Sequence, residues 1–229
     1  MINIQLKHAQ YSNEIVNNDC SRLLHIVADD TNVNRPDRFW IMTNADQHLF
    51  TYGTKNEHDS AAIPAQFNGI DIVPQIRTGG ITYHGPGQLS WVGIMNYRRL
   101  RRIARSDVLN IDSVLNYFRD AVNAEFNETL ESHPTDPGLY RPTGEKIASY
   151  GIDLPGISWF ALKLSLNLHV NLDVYNNTTI CGVDNRPMGN LLQSLPDLAT
   201  QQQLATNITQ RFLDLVYNEY QLTPWTDEP

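Results

Sequence analysis

Cys181, Lys146 and His84 are the residues of this sequence whose types could do chemistry, and they stand far apart along the chain. Cys181 is followed by Gly182 in polar, loop-like sequence. A thiolate is a good nucleophile, and a nearby ammonium lowers the pKa of a thiol. Lys146 opens the apolar run "KIASYGI" (146–152). Most lysines lie in water, but one drawn into a partly dry cleft can lose its proton and act as a base. As a pair the two would be a nucleophile and its activator, which only the fold can bring together. His84 lies inside "RTGGITYHGPGQL" (77–89), a stretch with four glycines in thirteen residues. An imidazole titrates near neutral pH, so His84 fits an acid, a base or a substrate-orienting group, and equally a hydrogen-bonded structural histidine. The glycine spacing is neither that of a P-loop nor that of a dinucleotide-binding turn. It suits a tight connection between strands, or backbone N–H groups laid open to an anion or a carbonyl oxygen.

The elements that must position these residues can be read from periodicity. Val16, Cys20, Leu23, Leu24 and Val27 recur at helical spacing, with Ser12 as a candidate N-cap and Cys20 as a small buried apolar residue. "RFWIMTN" (38–44) and "HLFTYG" (48–53) read as two strands with a short turn between them. Residues 54–70 read as a loop containing Pro64 and Gly69, and "DIVPQIR" (71–77) as a strand made irregular, or placed at an edge, by Pro74. "QLSWVGIMNY" (88–97) is a strand, and Ile111, Val114, Leu115, Phe118, Ala121, Val122 and Phe126 mark an amphipathic helix. Residues 132–138 read as a loop, and "LYRPTGEKIASYGIDL" (139–154) as a hairpin turning at Pro142-Thr143-Gly144. In "KLSLNLHVNLD" (163–173) leucines alternate with polar residues, which predicts a strand with one buried face. Leu204, Ile208, Phe212, Leu215 and Tyr220 give a last helix. Antiparallel-looking groups of strands separated by a few helices argue for an α+β fold in a single domain, residues 1–229.

Composition narrows the function. The chain has 229 residues, 41% of them hydrophobic and 18% charged, as in an ordinary folded protein. A net charge of -8 argues against general nucleic-acid binding, which needs lysine and arginine in excess on one face. The first fifteen residues lack the apolar core of a signal peptide, and no run is apolar enough to span a bilayer, so a cytoplasmic protein is expected. Two cysteines, Cys20 and Cys181, make no disulfide framework, and the seven histidines show no paired metal-ligand spacing.

The motifs resemble one family. "RTGGITYHGPGQL" is similar to the R-G-G-x-x-T-Y-H-G-P-G-Q block of the octanoyl-[acyl carrier protein]:protein N-octanoyltransferases of lipoate biosynthesis. "GEKIASYGI" (144–152) resembles that family's lysine strand, "TICGV" (179–183) its cysteine-glycine segment, and "FTYG" (50–53) its Y-T-x-G strand end, in the same order and spacing from about Tyr11 onward. The sequence departs from the family at Thr78, where a glycine is usual, at Leu162-Lys163, where a His-Gly pair is usual, at Ile180, where a proline is usual, and at Asn190, where a serine is usual.

The resemblance implies a catalytic domain like that of the biotin and lipoate protein ligases, a mixed sheet with flanking helices. It implies a Cys181/Lys146 dyad in which Cys181 carries the octanoyl group as a thioester. It places Arg77, Thr78, Gly79, Gly80, Ile81, Thr82, Tyr83 and His84 along the acyl chain, with Ser149, Tyr150, Gly151, Lys163, Leu164 and Ser165 also facing substrate. It implies acyl carrier protein as the donor. The acceptors it implies are the lipoyl domains of 2-oxoacid dehydrogenases and the glycine-cleavage H-type protein. No metal, ATP or other cofactor is implied, because the thioester is already activated, and a monomer is expected. The competing readings are an ATP-dependent lipoate–protein ligase on the same fold and a catalytically weak relative that binds only an acyl group or its carrier.

Overall fold

The computed structural model describes residues 4–10, 22–27, 36–43, 48–53, 63–75, 80–96, 111–133, 136–153, 158–176, 179–180, 183–184 and 187–219. Among these, three α-helices are seen: α1 (Arg22–Val27), α2 (Ile111–Phe126) and α3 (Leu198–Glu219). The larger sheet holds β1 (Ile4–Gln10), β2 (Asp37–Thr43), β7 (Gln88–Asn96), β11 (Trp159–Asn167), β10 (Lys146–Asp153), β9 (Gly138–Tyr140) and β8 (Glu131–Ser132), in that spatial order. β1 runs parallel to β2, and every other pair in this sheet is antiparallel. A smaller sheet holds β4 (Gln66–Phe67), β5 (Ile70–Gln75), β3 (Leu49–Gly53) and β6 (Thr82–His84), with β3 and β5 parallel. β12 (Thr179–Ile180) and β13 (Val183–Asp184) form a separate hairpin. The fold is α+β, with mixed sheets and flanking helices.

Helical spacing explains how the larger sheet is covered on one face. Val114, Phe118, Ala121 and Val122 of α2, and Ala205, Ile208, Phe212 and Val216 of α3, are all buried in one cluster with Leu162, Leu164 and Leu166 of β11. Edge-on rings lock the layers: Trp91 of β7 meets Phe118 at 5.4 Å, and Phe118 meets Phe212 at 6.1 Å. The indole of Trp91 donates to Thr209 Oγ1 at 2.9 Å, so its polar atom is satisfied inside the core.

The strand expected at 163–173 is Trp159–Asn167, and it is buried on both faces, not one. On its other face Trp159 and Ala161 share a second apolar cluster with Trp40 and Met42 of β2 and Val92 and Ile94 of β7, covered by Val27 of α1. The polar alternates therefore line the interior. Beyond Asn167 the chain leaves the sheet and makes a short 3-10 helix, Leu172–Tyr175.

β2 and β3 follow one another in sequence yet belong to different sheets. β5 keeps Pro74 without a broken ladder. Ile72 N donates to Ala65 O, and alternation turns the nitrogen of Pro74 to that same side, beyond the last residue of β5 that pairs with β4. Within the expected loop 54–70, Asn68 (φ 49°) and Gly69 (φ 75°) make the tight turn of the β4–β5 hairpin. The hairpin expected over 139–154 is present: Gly144, at φ 99°, donates to Arg141 O across Pro142 and Thr143, and β9 pairs with β10. Cys20, Ser12 and Tyr220 lie outside the described residues.

Candidate functional site

The glycine block carries the chain from the smaller sheet to the larger one. β6 pairs with β3, Tyr83 lying opposite Phe50, and the chain then turns through Gly85-Pro86-Gly87 into β7. Both glycines answer a close approach. A β-carbon on Gly87 would stand 2.0 Å from His169 O, and one on Gly85 would stand 1.8 Å from the phenolic oxygen of Tyr83. Gly87 O accepts from the N–H groups of Leu168 and His169, which seats the turn against the end of β11. The Tyr83 side chain is thereby pressed against the turn, where it meets His48 and Tyr175. Burial pushes its hydroxyl well above the usual phenol range, so it stays protonated, and it shares a hydrogen bond of 2.6 Å with His48 Nδ1.

His84 is buried and held at both ring nitrogens. Gln88 uses its amide N–H groups on Tyr83 O and Asn167 Oδ1, so its carbonyl oxygen accepts from His84 Nδ1–H at 3.1 Å. His84 Nε2 lies 3.2 Å from Thr51 Oγ1. The chain of bonds continues from Asn167 Nδ2 to Gly189 O at 3.2 Å.

A narrow cleft, with room for about 10 Å³, lies where the two sheets meet. Thr82 and Tyr83 of β6 and Ser149 of β10 line it, three of the residues singled out in the sequence. Gln88, Ala148, Asn167, Tyr175 and Met188 complete the wall. These five went unread, although Gln88 and Asn167 signal themselves as polar residues ending two apolar strands, directly opposite one another in register. Tyr175 arrives on the 3-10 helix, which the hairpin tip holds: Asn68 Nδ2 donates to Val174 O and Asn176 O. Burial also pushes the Tyr175 hydroxyl up, and its ring stands edge-on to Tyr83 at 5.4 Å.

Strand alternation sorts the remaining candidates. Ser149 lies opposite Ser165, whose hydroxyl is 3.2 Å from that of Ser90, and Gly151 lies opposite Lys163. These residues occupy the face of the sheet away from α2 and α3. Leu164 belongs to the helix-side core, and Tyr150 packs there edge-on to Phe118 at 6.5 Å. Only the backbone of Tyr150 and Leu164 is shared with the cleft face. Gly80 and Ile81 precede β6, with Ile81 packed against the core of the smaller sheet. Arg77, Thr78 and Gly79 lie outside the described residues.

Lys146 is the largest departure from an ordinary lysine: its side chain is 0% exposed. Nζ lies 2.9 Å from Asp136 Oδ1 and 5.5 Å from the centre of the Tyr140 ring. The other carboxylate oxygen of Asp136 accepts from the Tyr140 hydroxyl. The Lys146 backbone is pinned as well, its N–H donating to Pro187 O at 2.9 Å and its carbonyl accepting from Gly189 N at 3.0 Å. The segment 187–189 thus runs alongside Lys146 and leads back through β13 to the β12–β13 hairpin. In that hairpin Ile180 faces Val183, and the two residues between them in sequence are Cys181 and Gly182. Cys181 itself lies outside the described residues. Asp136 and Tyr140 were also not anticipated, and Asp136 lies in "SHPTDPG" (132–138), which carries only turn signals. Among the described residues no group of three or more His, Cys, Asp or Glu could hold a metal ion. No described helix is long and apolar enough to cross a membrane.

A cleft at the meeting of two sheets, and a sequestered lysine on one of the strands that line it, define a class that comparison identifies. The lipoyl protein ligase A/B catalytic domain model matches residues 25–213. A lipoate-protein ligase A bound with ATP superposes with a TM-score of 0.58 over 96% of this chain and 94% of its own, at 11% identity. A bipartite lipoate protein ligase of Thermoplasma acidophilum, described with its E2 lipoyl domain, superposes with a TM-score of 0.55 over 99% of this chain and 87% of its own, at 12% identity. At such identities the likeness concerns the fold. The octanoyltransferase of Neisseria meningitidis serogroup C is 30% identical over 192 residues, 83% of this chain and 84% of its own. The chain belongs to the lipoyl protein ligase A/B catalytic-domain family and, within it, to the octanoyltransferases.

Proposed function

We propose that the chain transfers an octanoyl group from octanoyl-acyl carrier protein to a lysine of lipoyl domains, through a thioester on Cys181. The observation that carries this reading is the state of Lys146, fully buried, ion-paired, and tied through its backbone to the segment that follows the Cys181 hairpin. A family of ligases and octanoyltransferases supplies the acyl chemistry, and a cysteine-lysine pair supplies a route that needs no ATP.

The steps balance as follows. The Cys181 thiolate attacks the carbonyl carbon of the donor thioester, a new C–S bond forms, and the carrier thiolate leaves with a proton from the Lys146 ammonium. The amine of the acceptor lysine then attacks the Cys181 thioester. The C–N bond forms, the C–S bond breaks, and neutral Lys146 takes the proton lost by the amine. Thiolate and ammonium are regenerated together. Thr82, Tyr83 and Ser149 border the acyl chain in the cleft, and the resemblance extends that role to Arg77, Thr78, Gly79, Gly80, Ile81 and His84. Ser149, Tyr150, Gly151, Lys163, Leu164 and Ser165 border the reacting end, Tyr150 and Leu164 through their backbone. The glycine block offers N–H groups to the developing oxyanion. Residues 1–229 act as one catalytic domain in the cytoplasm. The acceptors are lipoyl domains of 2-oxoacid dehydrogenases and the glycine-cleavage H-type protein.

Intact-mass spectrometry after mixing with octanoyl-acyl carrier protein tests the proposal. One octanoyl group should appear, map to the peptide containing Cys181, be absent from a Cys181→Ala protein, and pass to an added lipoyl domain. Transfer that instead requires ATP and free lipoate, with no acyl group on the protein, would identify a ligase and overturn it.

A further inference from the structure

We infer that Asp136 is the positioning residue of Lys146, held in place by Tyr140. The inference rests on the reading of Lys146 as the dyad partner. A lysine side chain is long and flexible, and a catalytic ammonium must be aimed. Here the aim is built from one short stretch, "DPGLY" (136–140). Gly138 and Tyr140, two apart in β9, lie on one face of the strand, Asp136 stands at the bend just before it, and Tyr140 is in register with Lys146. Each supplies a different wall. Asp136 Oδ1 takes one N–H of the ammonium at 2.9 Å. Tyr140 lays its ring 5.5 Å from Nζ. Gly138 leaves the space, since a β-carbon there would stand 2.6 Å from Lys146 Cε.

The acid is itself fixed, because its second oxygen accepts from the Tyr140 hydroxyl. An ammonium has three donors, so the contact with Asp136 leaves two to be aimed at other partners. A third group that orients the partner of a nucleophile is the arrangement of the catalytic triads. A purely structural role would suit this place poorly, for a buried ion pair is often no better for stability than apolar packing of the same volume.

A double-mutant cycle on octanoyl transfer separates the two roles, with kcat and the KM for octanoyl-acyl carrier protein measured for Asp136→Asn, Lys146→Met and the double variant. Asp136→Asn should lower kcat by about 10-fold or more and leave KM within about 2-fold. Added to Lys146→Met, it should change kcat by less than about 2-fold, because the group it positions is gone. Wild-type kcat in Asp136→Asn, or an equal further loss in the Lys146→Met background, would overturn the inference. Should Asp136→Asn fail to fold, Tyr140→Phe frees the carboxylate while keeping the ion pair. It should lower kcat alone and have no effect beside Lys146→Met, and independent effects of the two would be equally fatal. Failure of the underlying dyad shows separately, as wild-type transfer by the single Lys146→Met protein.

Discussion

Gly138 and Lys146 lie so close across the β9–β10 pair that a methyl group on the glycine would stand 2.6 Å from Lys146 Cε and 2.4 Å from Ala148 O. The lysine tip can swing aside, but the carbonyl belongs to the sheet. Gly138→Ala should therefore cost about 1–3 kcal/mol of stability through overpacking. It should also displace the ammonium, so kcat should fall by about 10-fold or more at a temperature where the variant is fully folded. A thermal melt followed by circular dichroism and a transfer assay below both midpoints check the two parts. Unchanged transfer in a destabilised protein would mean that the position of Lys146 does not matter.

The second expectation concerns the thiol. In a Cys20→Ala background only Cys181 remains to react with iodoacetamide. An isolated thiol has a pKa near about 8.5, and a neighbouring ammonium increases the thiolate fraction at neutral pH. Lys146→Met should slow the alkylation of Cys181 at pH 7 by about 10-fold. Asp136 stays 14% exposed, so water can reach the carboxylate that loses its partner. An alkylation rate equal to that of the parent would assign activation of the sulfur to another group. His84 is a poor candidate, because its ring nitrogens already lie beside Gln88 and Thr51.

How much of this could be read from residues alone depends on the range of the interaction. The α2 and α3 stripes and the turn at Arg141–Gly144 are local patterns, and they are where periodicity and turn chemistry put them. β11 shows the limit: leucine alternation says that one face is apolar, but only tertiary packing, with Val27 of α1 against Trp40, Met42 and Trp159, says that the other face is buried too. The division of β2 and β3 between two sheets is long-range in the same way. Asn68-Gly69 was a missed local signal, since that pair between "QF" and "ID" is a hairpin signature. At the site, Lys146 stood out through its apolar strand. Asp136 did not, because Asp-Pro-Gly spells a turn whether or not a lysine lies beneath it.

Gly85 gives a third expectation. The phenolic oxygen of Tyr83 occupies the place of its missing side chain, 1.8 Å from where a β-carbon would sit. Gly85→Ala must drive Tyr83 from its contacts with His48 and Tyr175 and into or out of the cleft it lines. The cleft wall would change while Lys146 and Asp136 stay in place. The KM for octanoyl-acyl carrier protein should rise about 5-fold or more, with a smaller change in kcat. A pure loss of kcat, at unchanged KM, would mean that Tyr83 does not border the acyl group.

The last expectation concerns the donor's carrier. Arg98, Arg99, Arg101, Arg102 and Arg105 form a basic run in a chain of net charge -8, and they lie outside the described residues. Acyl carrier proteins are strongly acidic, and local positive charge on a negative surface steers such a partner to one face. Replacing Arg98, Arg99 and Arg102 by alanine should raise the KM for octanoyl-acyl carrier protein. Transfer from a small neutral octanoyl thioester should be spared, because that substrate has no charged carrier to dock. Salt should weaken the wild-type advantage, since exposed charges are screened beyond about 10 Å at 0.1 M ionic strength. Equal losses with both donors would show that the arginines support the fold. No loss with either would put the docking face on another part of the molecule.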